Sequence, residues 1–308
     1  MPGSEWEDVF CPLCPAGTKT SPYLTCGDRF HSPEFHNYAI VCCSRCGLRF
    51  LSPRPAPDLA PSHHKQDGYD PFISFSSPRS LLDRIYLASR KFTLAWKRRL
   101  VRRILPEGGR VLDIGCGTGE FLQKISDFCQ VDGVEPEPAA ANWGRERLGL
   151  NIHTGFLEDV ELPAGNFDLV TMWHALEHIP DPVSALNRIH SLLKPGGILL
   201  VAVPNINSYD AKRYGSEWIA LDAPRHLWHF SPSTLRQITS LAQFTHLRGG
   251  ALPLDTFYNT LMSEQLKQRT GSGNLVVAPF RMGWVIAGSL LKGQFFGEPS
   301  GMFHQFKK

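Results

Sequence analysis

The stretch RVLDIGCGTGEFLQ, residues 110–123, decides how this chain folds. It begins as an apolar run typical of a buried strand, passes through glycines at 115, 117 and 119, and continues in a pattern that predicts a helix. Glycine adopts a positive φ without strain and lets a ligand approach the main chain closely. The turn leaves N–H groups free at the start of the helix, where a carboxylate or a phosphate binds well. The stretch therefore predicts a ligand-binding loop.

Strand and helix patterns alternate from this loop to about residue 252. The predicted strands are 110–114, 131–135, 151–155, 167–172, 197–203 and 245–252, and the predicted helices are 119–128, 138–147, 182–193 and 232–243. Asp181 and Ser231 each precede a proline and are expected to cap a helix. The alternation predicts an α/β fold with a doubly wound, mostly parallel sheet. In such sheets ligands lie at the carboxyl ends of the strands.

Two carboxylates at those strand ends indicate the kind of ligand. Asp113 lies just before the first glycine, and Glu135 ends the second strand. An acid at the end of the second strand can accept hydrogen bonds from the ribose hydroxyls of an adenosine. A dinucleotide-binding loop would read G-x-G-x-x-G, but residue 120 is Glu in this chain. The loop is therefore expected to hold an adenosine compound other than a dinucleotide.

The G-x-G-x-G spacing behind Asp113 resembles the cofactor loop of class I S-adenosylmethionine-dependent methyltransferases. GFLED (155–159), FDLVTMWHALEH (167–178) and LLKPGGILLVAVPN (192–205) are similar to later motifs of that family. The resemblance covers about residues 110–250 and implies a Rossmann-like methyltransferase fold with a seven-stranded sheet and S-adenosyl-L-methionine as the cofactor. The cofactor contacts that it implies are Asp113, Gly115, Cys116, Gly117, Gly119, Glu135, Pro136, Leu157, Glu158, Asp159, Trp173 and His174.

Six of the eight cysteines lie within residues 1–62, and CPLC (11–14) and CSRC (43–46) form two C-x-x-C pairs. Four thiolates at this spacing make a closed tetrahedral zinc site, with no open position for catalysis. We expect a structural Zn²⁺ whose binding energy folds a segment too short to bury much core. Its expected ligands are Cys11, Cys14, Cys43 and Cys46. Cys42 is an alternative to Cys43, but only Cys43 has the two-residue spacing to Cys46.

The sequence CGLRFLSPRP (46–55) follows the second pair. With the two pairs, it makes the chain similar to a bacterial subgroup of these methyltransferases that has an N-terminal zinc-binding domain. Many relatives in that subgroup act in sugar or cell-envelope pathways. The predicted division is a small zinc-ribbon-like domain at 1–62, a linker and helical cover at 63–105, and the methyltransferase domain at 106–308. The proline-rich stretch LSPRPAPDLAPS (51–62) marks the first boundary.

The acceptor is expected beside residues 204–230, because long irregular segments at the carboxyl edge of a sheet are usually functional. Histidine is suited to taking up the proton that methyl transfer releases. The candidate bases are His226 first, then His174 and His229. The candidate acceptor contacts are Trp218, Trp228, Arg225 and His226, since tryptophan faces pack on sugar rings. Arg225 either binds an anionic acceptor or pairs with Asp222.

The predicted reaction is methyl transfer to a small-molecule or glycan acceptor, on oxygen. The first alternative is an RNA or protein methyltransferase that uses the zinc segment for recognition. Its best support is a basic helical pattern over residues 80–105, although a solvated face explains that pattern too. No N-P-P-[FY] signature follows the fourth strand, which argues against methylation of a base nitrogen. The second alternative is a binding module without catalysis, which the intact loop and carboxylates argue against.

A magnesium-assisted reaction is a further alternative. HALEH places His174, Glu177 and His178 close together, and with His226 they resemble the Glu-x-x-Glu-His plus histidine site of some magnesium-dependent members of the wider family. His stands here where the first Glu of that site would be. Magnesium favours oxygen ligands, which weakens this alternative.

Composition is that of an ordinary globular chain, with 308 residues, 42% of them hydrophobic and 20% charged. The net charge of +3 is small, so attraction to nucleic acid or an anionic membrane has to be local. The N-terminus lacks a stretch of secretory type, and we expect a cytoplasmic protein with reduced thiols. LVVAPFRMGWVIAGSLL (275–291) is shorter than the ~20 residues of a spanning helix. We expect it to cover the core, with a membrane surface or a subunit partner as alternatives.

Overall fold

The computed structural model describes residues 6–30, 37–56 and 81–308, the latter without the side chains of 81–86 and 294. The strands are β1 (Trp6–Glu7), β2 (Thr20–Gly27), β3 (Asn37–Cys43), β4 (Arg49–Leu51), β5 (Arg54–Pro55), β6 (Arg110–Ile114), β7 (Gln130–Glu135), β8 (Asn151–Thr154), β9 (Phe167–Trp173), β10 (Leu193–Pro204), β11 (Trp228–His229), β12 (Thr245–Ala251) and β13 (Gly301–Lys307). The helices are α1 (Leu81–Ile104), α2 (Glu120–Ile125), α3 (Pro138–Leu148), α4 (Pro182–Leu192), α5 (Tyr209–Tyr214), α6 (Pro232–Leu241), α7 (Asp255–Arg269) and α8 (Ala278–Phe296).

Seven strands form the central sheet, in the order β12-β13-β10-β9-β6-β7-β8. β8, β7, β6, β9 and β10 are parallel to one another, whereas β13 runs antiparallel to both β10 and β12. The six predicted strands are present, and the predicted mostly parallel Rossmann-like fold is confirmed. The strand order reverses at β6, so the glycine loop follows the strand at the switch point.

Helices cover both faces of this sheet because successive strand residues point to opposite sides. In β6, Val111 packs in one core cluster with Val101 of α1 and Ile125 of α2. The next residue, Leu112, packs in a second cluster with residues of α4 and α6. The two predicted helix starts are confirmed: Asp181 Oδ1 accepts the Ser184 N–H at 3.0 Å, and Ser231 forms a capping box with Thr234. These helices hold the strand ends in place around the loop.

The seventh strand, β13, was not predicted from its sequence GMFHQFK. It follows two helices and inserts between β10 and β12, which are its partners over almost its whole length. Its alternation of Met302, His304 and Phe306 with other residues was the available signal. A strand buried on both faces is usually recognised as a continuous apolar run. This strand contains polar residues such as His304 and Gln305, so it does not form such a run.

The N-terminal residues form a second, four-stranded sheet in the order β11-β4-β3-β2. Its outer strand β11 comes from the segment after β10, so the small sheet is completed by residues of the predicted methyltransferase domain. Trp228 pairs with Phe50 in that ladder, and their rings lie 5.7 Å apart. The two predicted domains therefore share a sheet and a core. The predicted boundary at residue 62 and the linker at 63–80 lie outside the described residues.

The expectation that residues 275–291 cover the core holds for Val285, which is 1% exposed and packs in the core, and not for most of the segment. The segment forms most of α8, and Phe280 and Trp284 are 79% and 67% exposed. The inward face of the helix carries Arg281 and Ser289 beside Val285. No helix in the described part of the chain is long and apolar enough to cross a membrane.

Candidate active site

The glycine loop joins β6 to α2 at the carboxyl edge of the sheet. Gly115, Gly117 and Gly119 all have positive φ, at 71°, 56° and 79°. A Cβ on Gly119 would lie 2.4 Å from Leu150 Cδ1, so the loop must pass close to β8 at that point. A Cβ on Gly117 would meet nothing within 4 Å, so the space above this residue is open. The loop therefore offers bare main chain to a ligand where Gly117 faces open space.

Glu135 holds the loop from the neighbouring strand. Its Oε2 accepts the Gly117 N–H at 2.7 Å, and its Oε1 accepts the Glu137 N–H at 2.9 Å. Burial raises the pKa of Glu135, although these N–H groups oppose the rise. Each oxygen keeps a second lone pair for a ligand hydroxyl. The carboxylate is thus oriented by main-chain donors at the end of β7.

Asp113 is buried before the loop and accepts a hydrogen bond from Thr171 Oγ1 of β9 at 2.6 Å. Burial raises its pKa to about 7, against the effects of Thr171 and Lys97. A buried carboxylate near this pKa is stabilised in its charged form by a cation close by. The ammonium of a bound amino acid would be such a cation.

Lys97 of α1 is a site residue that sequence reasoning missed, because it was grouped with the basic residues of a solvated helix face. Its Nζ lies 4.3 Å from the centre of the Trp173 ring. Burial lowers the pKa of Lys97 to about 8, while the charge of Asp113 opposes this shift. The signal was its place in the helix, since Leu94 and Val101, three before and four after it, are buried.

Other basic residues of α1 are paired with acids. Arg98 binds Asp127 through two hydrogen bonds, and Arg90 pairs with Glu120. Ion pairs therefore account for two of the basic residues of this helix, and Lys97 lies against the Trp173 ring.

Trp173 and His174 end β9, next to the loop. The Trp173 ring packs edge-on against Phe121 at 5.4 Å and against Trp96 at 6.2 Å, and its buried Nε1 has no hydrogen-bond partner among the described residues. His174 has a φ of 57°, a left-handed conformation that costs a non-glycine residue on the order of 1–3 kcal/mol. Such strain at a strand end is typical of functional sites.

The predicted adenine contacts lie after β7 and β8, on the side of the glycine loop away from Trp173. We call the space over the loop between these residues and Trp173 the crevice. The loop after β8 is joined to β7 by the Gly155 N–H, which donates to Glu135 O at 3.1 Å. Leu157 is 3% exposed, whereas Glu158, Asp159 and Pro136 are exposed. Cys116 has its side chain directed toward Gly133, so it contributes main chain to the crevice.

Three histidines and Glu177 form a cluster after the carboxyl end of β9. His174 donates from Nδ1 to Glu177 at 3.3 Å and lies 3.5 Å from Asp255 of α7. Burial would lower its pKa, but these two carboxylates outweigh burial and raise the pKa of His174 to about 10. His174 is therefore a cation at neutral pH and does not accept a proton there, which corrects its place among the candidate bases.

His226 is held in one tautomer by the Ala220 carbonyl. Its Nδ1 is 2.8 Å from Ala220 O, so Nδ1 donates and Nε2 is left as the basic atom. Its ring meets the His178 ring edge-on at 4.6 Å. Burial, reinforced by His178, holds the pKa of His226 well below its usual value. The imidazole is neutral at neutral pH, with 11% of its side chain exposed.

Glu177, His178 and His226 offer ligand atoms within 4.8 Å of one another. Glu177 is 1% exposed, and its Oε2 has no hydrogen-bond partner among the described residues. Two imidazoles and one carboxylate do not fit magnesium, which favours oxygen ligands. The geometry therefore gives the predicted magnesium alternative no support.

Three of the predicted acceptor contacts, Trp218, Arg225 and Trp228, are buried and have partners within the protein. Trp218 is 1% exposed and donates its Nε1 to Asp210 Oδ2 at 2.8 Å, so it presents no face to a sugar. Arg225 is fully buried and pairs with Asp222 and Asp28 at 2.6 and 2.8 Å, which is the structural alternative foreseen for it. Trp228 is buried against Phe50.

His229 also leaves the list of candidate bases. It lies in β11, paired with Arg49 of the small sheet, and is 4% exposed. Burial, with the charge of Arg49, lowers its pKa to about 3. The residues at the junction between the small sheet and the rest of the fold are Trp218, Arg225, Trp228 and His229. Their aromatic and charged side chains pack this junction, and the same composition led the sequence analysis to predict a binding surface.

The four predicted zinc ligands come together at the end of the small sheet. Cys11 Sγ lies 3.4 Å from Cys46 Sγ, and Cys43 Sγ lies 3.7 Å from Cys14 Sγ. A tetrahedron with Zn–S bonds of about 2.3 Å has edges of about 3.8 Å, which matches this packing of sulfurs. Cys42 points away, with its Sγ toward a carbonyl oxygen, and Cys26 lies in β2. The four thiols that the spacing rule selected therefore lie together.

The family follows from a comparison with known sequences. Residues 85–248, just over half of the chain, match the model of a methyltransferase domain. The chain belongs to this methyltransferase family and is an S-adenosylmethionine-dependent methyltransferase.

Curated relatives include the ubiquinone biosynthesis O-methyltransferases of Xanthomonas axonopodis pv. citri and Rhodopseudomonas palustris. Each is 32% identical, over 137 and 143 residues, or 42% of this chain. The matched part spans 57% and 56% of those proteins, so the likeness covers little more than half of their length.

Solved structures confirm the fold. Phosphoethanolamine N-methyltransferase 2 of Haemonchus contortus, in complex with S-adenosyl-L-methionine, matches with a TM-score of 0.52 and 18% identity, over 84% of this chain and 62% of that one. The 1,6-didemethyltoxoflavin-N1-methyltransferase of Burkholderia thailandensis matches with a TM-score of 0.50 and 17% identity, over 88% and 95%. Identities this low show the fold alone.

Proposed function

We propose that this methyltransferase methylates an oxygen atom of a small-molecule or glycan acceptor. The observation that carries the proposal is the neutral, buried imidazole of His226, which lies in a cluster with Glu177 and His178 and is bonded through Nδ1 to Ala220 O. The O-methyltransferase names of the curated relatives support the same kind of acceptor. An RNA or protein acceptor is supported only by the basic helix α1, in which Arg90 and Arg98 are paired with acids of the protein itself.

The donor crevice supplies the binding interactions that such a reaction needs. When bound, S-adenosylmethionine supplies an electrophilic methyl group. In this proposal Glu135 accepts from the ribose hydroxyls, Asp113 faces the amino group, and Leu157 packs on the adenine. Lys97 faces the carboxylate from above the Trp173 ring. The buried groups around them exclude water from the crevice.

His226 is proposed as the general base. Its Nδ1–H bond to Ala220 O leaves Nε2, which is 3.9 Å from Asp222 Oδ2, as the atom that takes the hydroxyl proton when the methyl group is transferred. His174 is a positioning residue, because its cation binds both Glu177 and Asp255 and so fixes the carboxylate beside the base.

Screening purified protein with radiolabelled methyl donor against nucleotide sugars, lipids and RNA tests the acceptor class. We expect the labelled methyl group on an oxygen of a small-molecule or glycan acceptor, in a linkage that resists mild acid and base. Label in RNA alone would contradict the proposal.

Replacing His226 is expected to separate chemistry from donor binding. His226→Ala should lower kcat by roughly 100-fold or more, the usual contribution of a general base. The affinity for S-adenosylhomocysteine, measured by calorimetry, should stay unchanged because no donor contact is lost. His190→Gln on α4 is the matched control, and it should keep its turnover. Equal turnover of His226→Ala and the unmodified protein would remove the assignment.

Removing the charge of Lys97 is expected to weaken donor binding. Lys97→Met should raise the Kd for S-adenosylhomocysteine roughly tenfold or more, the worth of a hydrogen bond to a charged group. Binding of methylthioadenosine, which lacks the carboxylate, should not change. Lys91→Met, exposed on the same helix, is the control.

The pKa of Lys97 adds a pH test. Since that pKa is about 8, the affinity of the unmodified protein should fall as the pH rises through 8, when the ammonium is lost. This fall should be absent in Lys97→Met. An equal loss for methylthioadenosine and S-adenosylhomocysteine would show a structural role instead.

We also propose that Cys11, Cys14, Cys43 and Cys46 bind a structural Zn²⁺. The matching sulfur spacings support this, and four thiolates leave no position for a substrate.

A further inference from the structure

Helix α8 carries its apolar side chains outward. Phe280, Trp284, Leu291 and Phe295 recur at helical spacing on one side and are 79%, 67%, 56% and 69% exposed. In an ordinary surface helix such residues face the core. We call these four residues the apolar face of α8.

The opposite side of α8 is held inward by polar contacts. Arg281 donates two hydrogen bonds to Glu264 of α7, at 2.6 and 2.5 Å. Ser289 donates to Asp210 at 3.2 Å. At the edge of the apolar face, Trp284 Nε1 donates to the Tyr209 hydroxyl at 3.0 Å, and Gly288 lies so close to the Tyr209 ring that an added Cβ would be 2.4 Å from it. Rotating α8 to bury its aromatic residues would break these contacts. The apolar face is therefore a stable feature of the surface.

Neighbouring residues extend the apolar face. Leu275 and Val276, in the loop before α8, are 77% and 79% exposed, and Phe257 and Tyr258 of α7 are 45% and 46% exposed. A contiguous apolar surface of this kind marks a site of association with a protein or a membrane. An apolar loop tip next to a tryptophan-bearing helix is suited to insertion among lipid headgroups, where an aromatic ring meets both apolar and wet surroundings.

The charges around the apolar face select the partner. Residues 265–297 contain four basic side chains and no acidic one. Lys267 pairs with Glu217 and Arg281 with Glu264, so Arg269 and Lys292 are the cations that would meet a partner. Lys292 Nζ lies 4.3 Å from the centre of the exposed Phe296 ring, at the end of the face. A two-fold contact with a second copy would set these cations against each other. An anionic lipid surface would instead be attracted to them.

We propose that the apolar face of α8 docks the protein on an anionic lipid bilayer, with the helix lying in the plane of the headgroups. Aromatic and aliphatic side chains enter the boundary of the acyl chains, while Arg269 and Lys292 stay at the level of the phosphates. Helix α8 is preceded by α7, which begins at Asp255, and the carboxylate of Asp255 contacts His174 of the active site. Docking thus occurs beside the mouth of the crevice, and it does not depend on which acceptor is methylated.

Co-sedimentation with vesicles tests this docking. Vesicles of equal parts phosphatidylglycerol and phosphatidylcholine should bind the full chain, and pure phosphatidylcholine or high salt should weaken the binding. The double variant Phe280→Gln with Trp284→Gln should bind the mixed vesicles at least roughly tenfold more weakly. The variant lacks two aromatic side chains that docking would bury in the bilayer. Phe92→Gln on α1, 55% exposed and away from the face, is the matched control and should bind normally.

Two results would overturn the proposal. One is a full chain that does not sediment with the mixed vesicles, or a double variant that sediments as well as the unmodified protein. The other is a dimer, seen by sedimentation velocity, that the double variant converts to a monomer while vesicles remain unbound, which would make a second copy the partner. The double variant should bind S-adenosylhomocysteine with unchanged affinity, which would show that it is folded.

Discussion

Replacing Cys43 by serine is expected to release the bound zinc and to unfold the small sheet. Structural zinc sites contribute on the order of 10 kcal/mol or more of folding free energy, which a sheet of a few short strands does not supply from its own core. Cys43 also starts the turn of the second pair, where its carbonyl accepts the Gly47 N–H at 3.0 Å. The loss should appear as less than one zinc per chain by atomic emission spectroscopy and as a lower Tm.

The effect of this change should reach the acceptor side of the active site. β11 is the outer strand of the small sheet, and Arg225, just before it, is buried between Asp28 and Asp222. Unfolding of the small sheet would leave that guanidinium without Asp28 and would disturb the neighbouring His226. Turnover should therefore fall, while the affinity for S-adenosylhomocysteine at the distant glycine loop should change little.

Cys42→Ser is the control for the zinc prediction, because Cys42 is next in sequence yet outside the cluster. It should keep one zinc per chain and an unchanged Tm. A Cys43→Ser protein with a full zinc content, or a Cys42→Ser protein that has lost it, would contradict the assignment of the four ligands.

Changing Glu135 to glutamine is expected to weaken donor binding by about a hundredfold or more. The carboxylate accepts the Gly117 and Glu137 N–H groups with different oxygens. An amide turns one of those acceptors into a donor, so one N–H group would face another donor. The ribose hydroxyls would also lose a charged acceptor, and each such hydrogen bond contributes about 1.5–3 kcal/mol.

Calorimetry with S-adenosylhomocysteine measures the effect of Glu135→Gln. Glu146→Gln, exposed on α3, removes the same charge without touching the loop and should bind as the unmodified protein does. A Glu135→Gln protein with normal affinity would mean that the ligand lies elsewhere than above the glycine loop.

The parts of the site that could be predicted depend on signals a few residues long. The glycine loop, the carboxylates at 113 and 135 and the two C-x-x-C pairs are each local in sequence. The helix starts at Asp181 and Ser231 are local as well, since a capping residue binds an N–H three residues away. The structure has each of them where the sequence places it.

The parts that could not be predicted depend on contacts between distant residues. Arg225 meets Asp28 across the chain, and Trp228 completes a ladder with Phe50. Lys97 looked like one more solvated cation until α1 was placed over the crevice. The outward apolar face of α8 is the reverse of what its composition indicates, because Glu264 and Asp210 hold the polar side inward.

The sequence by itself determined the alternation of strands and helices, the exposed main chain at residues 115–119 and the cluster of four thiols. These features depend on hydrogen-bonding patterns, glycine geometry and residue spacing, which act between near neighbours in the chain. Only the tertiary structure decided which histidine is neutral and which is a cation. His174 and His226 have the same chemistry in isolation, and the carboxylates of Glu177 and Asp255 on one side, and burial against His178 on the other, set their pKa values apart.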